Sequence, residues 1–334
     1  MRCWPIAALT GRTSTMMTSG SRPTRRLVLA GLAGVGLMPG AALAGDRLRL
    51  SGRAFGTDWH VVTPGLADPR AMARRIAAAL AQVDRAMSPF RPDSEITRFN
   101  TLMPAMQVSP DFARVAKAAL ATAQASGGAF DPTVGPAVHR YGFGPITGPE
   151  RADWRRIACA GDRLTREGAV TLDLCGIAKG YAADRIAGLL RAETGDFLIE
   201  IGGEIRAEGL ASDGGWPIGI ADPLTGGVHD RIRLRRGAVA TSGDAVNRID
   251  MGGRRYSHTI DPATRAPVRG DIASVSVIAE TAMRADALAT ALWVMGEERG
   301  LDFAQAQGVG VLYLIRSAGG LRAASNAAFA AHLA

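Results

Sequence analysis

The segment Ala285-Asp286-Ala287-Leu288-Ala289-Thr290-Ala291-Leu292-Trp293 holds the sharpest chemical pattern in the chain. Asp286 and Thr290 are spaced so that, on a helix, they stack on one face. Met283, Trp293 and Val294 share that face, while Leu288, Leu292 and Met295 occupy the opposite one. A helix that is apolar all round is buried, and a buried carboxylate must be paired or coordinate a metal. Two readings follow. Asp286 forms a salt bridge with a buried arginine, or carboxylate and hydroxyl act as hard-oxygen ligands to Mg²⁺, with substrate phosphates completing its shell.

Four other segments carry chemistry. Lys179, in Leu174-Cys175-Gly176-Ile177-Ala178-Lys179-Gly180, is one of two lysines, with Lys117, in a chain that otherwise writes its basic residues as arginine. A strand, a glycine turn and a helix start at that point would aim backbone N–H groups at an anion such as a phosphate; the plainer reading is a surface lysine. His258, in Tyr256-Ser257-His258-Thr259-Ile260-Asp261-Pro262, is placed to act as a general base near neutral pH or as a hydrogen-bonded structural residue. Gly202-Gly203-Glu204 follows a strand-like run and permits close backbone approach, or simply closes a hairpin. Thr241-Ser242-Gly243-Asp244 offers hydroxyls to phosphates or ends a strand. There is no G-x-S-x-G elbow, which disfavours a serine hydrolase.

The elements that must position these residues alternate in an α+β manner. Residues 48–62 predict a hairpin turning at Phe55-Gly56-Thr57, and 68–87 an amphipathic helix opened by Asp-Pro. Residues 88–100 predict a polar loop and 111–125 a second helix. Short β-type runs are expected at 170–174, 197–201, 217–220, 232–234, 238–241, 274–278 and 309–315, with helices at 177–191, 281–295 and 298–307. Strands in runs favour α+β over regular βαβ winding.

The start of the chain predicts an exported protein. Thr24-Arg25-Arg26-Leu27-Val28-Leu29 is a twin-arginine pattern, residues 27–38 are an apolar run, and Ala42-Leu43-Ala44 is a cleavage site. This gives a cleaved signal over 1–44 and one domain over 45–334. The apolar run is shorter than the roughly 20 residues a spanning helix needs, so no transmembrane segment is expected in the mature chain. Removing 1–44 takes five arginines and no acid, so the net charge of +8 becomes +3. With no basic stripe interleaved with aromatics, nucleic acid is not an expected partner. Cys159 and Cys175 remain, and two cysteines specify neither a disulfide nor a metal site.

In this order the segments resemble the ApbE family, the FAD:protein FMN transferases, from about Phe55 to Leu314. The resemblance is carried by Met87-Ser88-Pro89-Phe90 with Ser94 and Asn100, and by Gly127-Gly128-Ala129-Phe130-Asp131-Pro132-Thr133. Leu172-Asp173-Leu174 with Ile177-Ala178-Lys179-Gly180-Tyr181 and Asp184 extends it. The Gly202, Ser242, His258 and Asp286 segments already quoted complete it.

The resemblance implies a T-fold-related architecture of antiparallel sheets with packed helices. It also implies a periplasmic enzyme that splits FAD at its pyrophosphate and moves FMN to a Thr or Ser hydroxyl, releasing AMP. Mg²⁺ would be held by Asp286, Thr290 and the Ala178 carbonyl. His258 would be the base and Lys179 an electrostatic support. Met87, Ser88, Phe90, Asp131, Gly202, Gly203 and Ser242 would contact FAD, together with Lys179 and His258. A twin-arginine signal without a lipid anchor is similar to the NosX-like branch, which implies a NosR-like acceptor flavoprotein; a redox-driven ion-pump subunit is the other implied acceptor. An FAD pyrophosphatase and a non-catalytic periplasmic FAD-binding protein remain as alternatives. Four positions depart from the family's usual residues: Phe55 for Met, Cys175 for Gly, Ala245 for an aromatic and Arg265 for Gly.

Overall fold

Phe55 and Gly56 both adopt positive φ, 53° and 72°, as a tight two-residue hairpin turn demands. They join Leu48–Ala54 (β1) to Thr57–Thr63 (β2), paired antiparallel from Leu48 with Thr63 to Ala54 with Thr57. This computed structural model describes residues 35–36, 47–150, 152–209, 214–244, 248–251 and 254–334. The twin-arginine and cleavage motifs and Ala245 lie outside the described residues.

Helix Pro69–Met87 (α1) follows, its first N–H groups capped by Asp68, which accepts from the Ala71 N–H at 2.9 Å. Its apolar stripe of Met72, Ile76, Leu80, Val83 and Met87 is buried, as the helical period requires. Glu95–Thr101 (α2), Pro110–Ala125 (α3) and Gly135–Arg140 (α4) precede Ala178–Leu190 (α5). The chain then builds Phe197–Ile201 (β3) and Glu204–Glu208 (β4), and a separate hairpin of Trp216–Ala221 (β5) and Val228–Leu234 (β6). Arg236–Gly243 (β7) and Ile272–Ala279 (β8) lead into Ala282–Met295 (α6) and Glu297–Ala306 (α7). Gly310–Ser317 (β9), Gly320–Ser325 (β10) and Ala327–Ala330 (α8) finish the fold.

An eight-stranded antiparallel sheet in the order β10-β9-β8-β7-β4-β3-β2-β1 is the central layer. Alternation along each strand splits its side chains between two cores. Ile199, Ile201, Ala238, Ala240, Val275 and Val277 face the helices, with α6 lying over β7 and β8. Leu198, Ile205, Val239, Ile278 and Leu314 face the other way, against Trp216, Ile218, Ile232 and Leu234 of the β5–β6 hairpin. The architecture is the expected α+β arrangement of antiparallel sheet and packed helices. No helix among the described residues is long and apolar enough to cross a membrane.

Two segments differ from the sequence reading. Residues 88–100 contain α2, because Ser94 caps it by accepting from the Thr97 N–H, and Ile96 and Phe99 are buried on one side. Residues 170–174 are extended but belong to no strand. Their ladder partner is a side chain: the Asn100 amide donates to the Leu172 carbonyl and accepts from the Leu172 N–H, both at 2.8 Å. Cys159 and Cys175 are not joined to each other by a disulfide.

Helices α5 and α6 touch at Gly180, where a Cβ would overlap the Ala282 carbonyl oxygen. Gly180→Ala should therefore cost about 1–3 kcal/mol of stability, the usual penalty for overpacking. Gly188→Ala, on the same helix with open space around it, should stabilise by a few tenths to about 1 kcal/mol. Urea unfolding of both variants checks the pair; equal effects would refute the steric account.

Candidate active site

The first turns of α5 and α6 cap one another. On α6, Asp286 accepts from the Gly180 N–H at 3.0 Å. On α5, Asp184 accepts from the Ala282 and Met283 N–H groups at 3.0 and 2.9 Å. Each carboxylate thus lies against the positive end of the neighbouring helix. Asp184 was visible in the sequence only as a motif member. Its capping role becomes apparent once α5 and α6 are known to meet.

Burial pushes the Asp286 carboxyl up, while the Lys179 charge and the Gly180 N–H pull it down. Among the described residues, the charge that pulls Asp286 down is that of Lys179. Lys179 is itself buried, with its Nζ 2.5 Å from Glu204 Oε2. In this structure its ammonium lies among the carboxylates of Glu204 and Asp286. The Glu204 carboxyl is pushed up to about 8, chiefly by burial, with Lys179 opposing and Asp286 raising it further.

Thr290, one turn beyond Asp286, completes the oxygen pair. A Cβ on Gly176 would lie 3.3 Å from Thr290 Oγ1 and 3.4 Å from the Phe130 ring. The backbone next to the hydroxyl is therefore that of Gly176, outside the helix. Ala178 is the first residue of α5, and a carbonyl there keeps a second lone pair beyond its helical bond. No group of three or more His, Cys, Asp and Glu side chains that could hold a metal occurs among the described residues.

His258 is half-buried, and two rings flank it edge-on: Phe143 at 6.3 Å and Trp293 at 6.4 Å between centroids. Trp293 lies one turn past Thr290, so a single helix stripe carries the oxygen pair and a ring against which the imidazole packs. A cavity of about 460 Å³ opens beside it, lined by Leu224, Asp244, Ser257, Arg269, Trp293 and Arg316. Phe143 and Arg316, which bonds Asp244, are site residues that no sequence spacing marked.

The remaining expected residues are placed unevenly. Ser242 is half-buried opposite Val275, which puts it on the helix-covered face. Gly202 and Gly203 form the β3–β4 turn with φ of 56° and 104°, and the Gly203 N–H donates to Glu200 at 2.8 Å. Asp131 is buried and accepts from the Thr133 N–H and hydroxyl at 2.8 and 2.5 Å. It joins the site through Pro132, whose carbonyl accepts from the Asp173 N–H at 2.6 Å. Met87 and Ser88 are sealed in the core, so Phe90, half-buried, is the member of that turn with surface to offer.

The ApbE family model matches residues 55–313. This chain belongs to the ApbE family. It is 36% identical over 324 residues to an FAD:protein FMN transferase of Vibrio cholerae, covering 90% of this chain and 97% of that protein. The FAD:protein FMN transferase of Rhodobacter capsulatus is 34% identical over 321 residues, covering 86% and 61% of the two chains. In structure, the fold is similar to the flavin transferase ApbE from Vibrio cholerae, with a TM-score of 0.78 and 34% identity over 86% of this chain and 99% of that one. The apo flavinyl transferase ApbE of Pseudomonas stutzeri gives 0.77 and 31% over 86% and 96%. The protein is accordingly an enzyme, a transferase that moves flavin.

Glu204's folded value lies above the ordinary 4.5, so between about pH 4.5 and 8 the native state keeps a proton that the unfolded chain has lost. Stability attributable to Glu204 falls as pH rises through that window. Lys179→Met removes the charge that limits this loss. It should destabilise by about 3–5 kcal/mol, as breaking a buried pair does, and by more at pH 9 than at pH 6. Urea midpoints at the two pH values decide it, and a pH-independent loss would contradict the pairing.

Proposed function

We propose that the enzyme transfers FMN from FAD to a Thr or Ser hydroxyl of an acceptor flavoprotein, releasing AMP. The observation that carries this reading is the α6 stripe, which presents Asp286, Thr290 and the ring that flanks His258 in consecutive turns. That order sets an anion-handling centre beside a proton acceptor, the two needs of phosphoryl-type transfer.

The donor set fits Mg²⁺: a buried carboxylate that takes one N–H from the protein, a hydroxyl one helical turn away and the backbone at the start of α5. Asp286, Thr290 and the Ala178 carbonyl would hold it. Bound there, Mg²⁺ supplies positive charge against the pyrophosphate oxygens. His258 takes the proton of the acceptor hydroxyl as that oxygen bonds to the FMN phosphorus. The bond from that phosphorus to the bridging oxygen breaks, and AMP leaves with the oxygen. Phe90 offers a ring face to the flavin or adenine, and the cavity at Asp244 and Arg316 takes part of the dinucleotide. The twin-arginine and cleavage motifs support periplasmic export, with a NosR-like protein or a redox ion-pump subunit as acceptor.

The deciding test incubates the mature protein with FAD, Mg²⁺ and a Thr-containing acceptor domain, then reads intact mass. An FMN-sized adduct that EDTA abolishes is expected. His258→Ala should reduce transfer by about 10²–10⁴-fold, the range for a lost general base, while FAD binding persists. Asp286→Ala and Thr290→Ala should raise the Mg²⁺ concentration required. Free AMP and FMN without adduct would replace transfer by hydrolysis. Bound FAD with neither product would leave a flavin-binding protein.

A further inference from the structure

The β5–β6 hairpin carries a surface that the flavin site does not use. Its inner residues, Ile218, Ile220, Ile232 and Leu234, pack against the main sheet. Register sets Val228 opposite Ala221, Arg231 opposite Gly219 and Arg233 opposite Pro217. These residues share the outer face, where the partners are too small to cover an arginine. Arg235 and Arg236 follow, and all four arginines are exposed. The hairpin's described acids are engaged elsewhere. Asp222 accepts from the Leu224 and Thr225 N–H groups at 2.7 and 3.0 Å, and Asp230 pairs with His229 at 2.9 Å. Among the described residues, no carboxylate forms an ion pair with Arg231, Arg233 or Arg235.

Two of the exposed large apolar side chains are on the same hairpin: Leu224, 49% exposed at its turn, and Val228, 44% exposed at the start of β6. Leu224 also lines the cavity with Ser257 and Trp293. The arginine row therefore leads outward from the cavity mouth beside His258.

We infer that the outer face of this hairpin is the docking surface for the protein acceptor and receives an acidic stretch of it. The inference rests on the transferase reading, since only a protein acceptor must bring its own hydroxyl to that cavity. Unpaired surface arginines attract and orient an acidic partner, an effect felt mainly in encounter rate and salt dependence. Leu224 and Val228 add apolar contact next to the opening. An anionic lipid surface would draw the same charges, but with Leu224 pressed into it the cavity mouth would face the bilayer and not an acceptor.

The test measures binding without FAD or Mg²⁺, so that it stands apart from catalysis. The probes are a Thr-containing acceptor domain with a flanking run of glutamates and the same domain with those residues as glutamine. The wild-type enzyme should bind the acidic form at least about tenfold more tightly at low salt, and high salt should erase the difference. Arg231→Glu/Arg233→Glu/Arg235→Glu should abolish the preference while FAD affinity and melting temperature stay unchanged. The milder Arg231→Gln/Arg233→Gln should halve it on a logarithmic scale. An undiminished preference in the triple variant, or binding to phosphatidylglycerol vesicles with none to the acidic domain, would overturn the inference. Docking as expected with no adduct would instead count against the transferase reading.

Discussion

The exchange of caps between α5 and α6 is the constraint on which the site depends. Two helix starts can share carboxylates only if their backbones nearly touch, and that contact exists because position 180 has no side chain. Once the helices meet, Asp286 is drawn to one positive end and Asp184 to the other. Thr290 and Trp293 follow along the same rigid rod. The spacing between the oxygen pair and the ring beside His258 is then fixed by helix geometry, not by loops.

Charge balance around that contact is equally constrained. Lys179 and Glu204 are both buried and Asp286 lies close to the same lysine. A carboxylate in such a setting keeps its charge only while a positive group is near. A compact ammonium on a flexible stem reaches from α5 to Glu204 at the start of β4, a task for which lysine is better shaped than the planar fork of arginine. One of the chain's two lysines stands there. For Asp286, burial outweighs the opposing Lys179 charge and Gly180 N–H, so a hard cation would add the positive charge that this pocket lacks.

Much of this was legible in the sequence where local patterns sufficed. The stripe of α1, the Asp68 cap and the opening hairpin follow from spacing and turn residues alone. The Asp286–Thr290 pairing follows from helical period. Tertiary contacts add what local patterns omit. The glycine-flanked position of Lys179 is visible in the sequence, whereas Glu204, its partner, is distant in it. Phe143, Arg316 and the capping by Asp184 were beyond reach because each acts across elements that only the fold juxtaposes.

The extended stretch at 170–174 leads directly into Gly176 and α5, yet its regularity is borrowed from the side chain of Asn100. A strand has a neighbour that pairs with it residue by residue; here both backbone groups of Leu172 are met by one amide, 72 positions earlier in the chain. Asn100 is carried by α2, so the backbone that leads to Thr290 takes its shape from a helix with no residue of its own in the oxygen pair. A change that loosens α2 would reach the chemistry through the main chain alone.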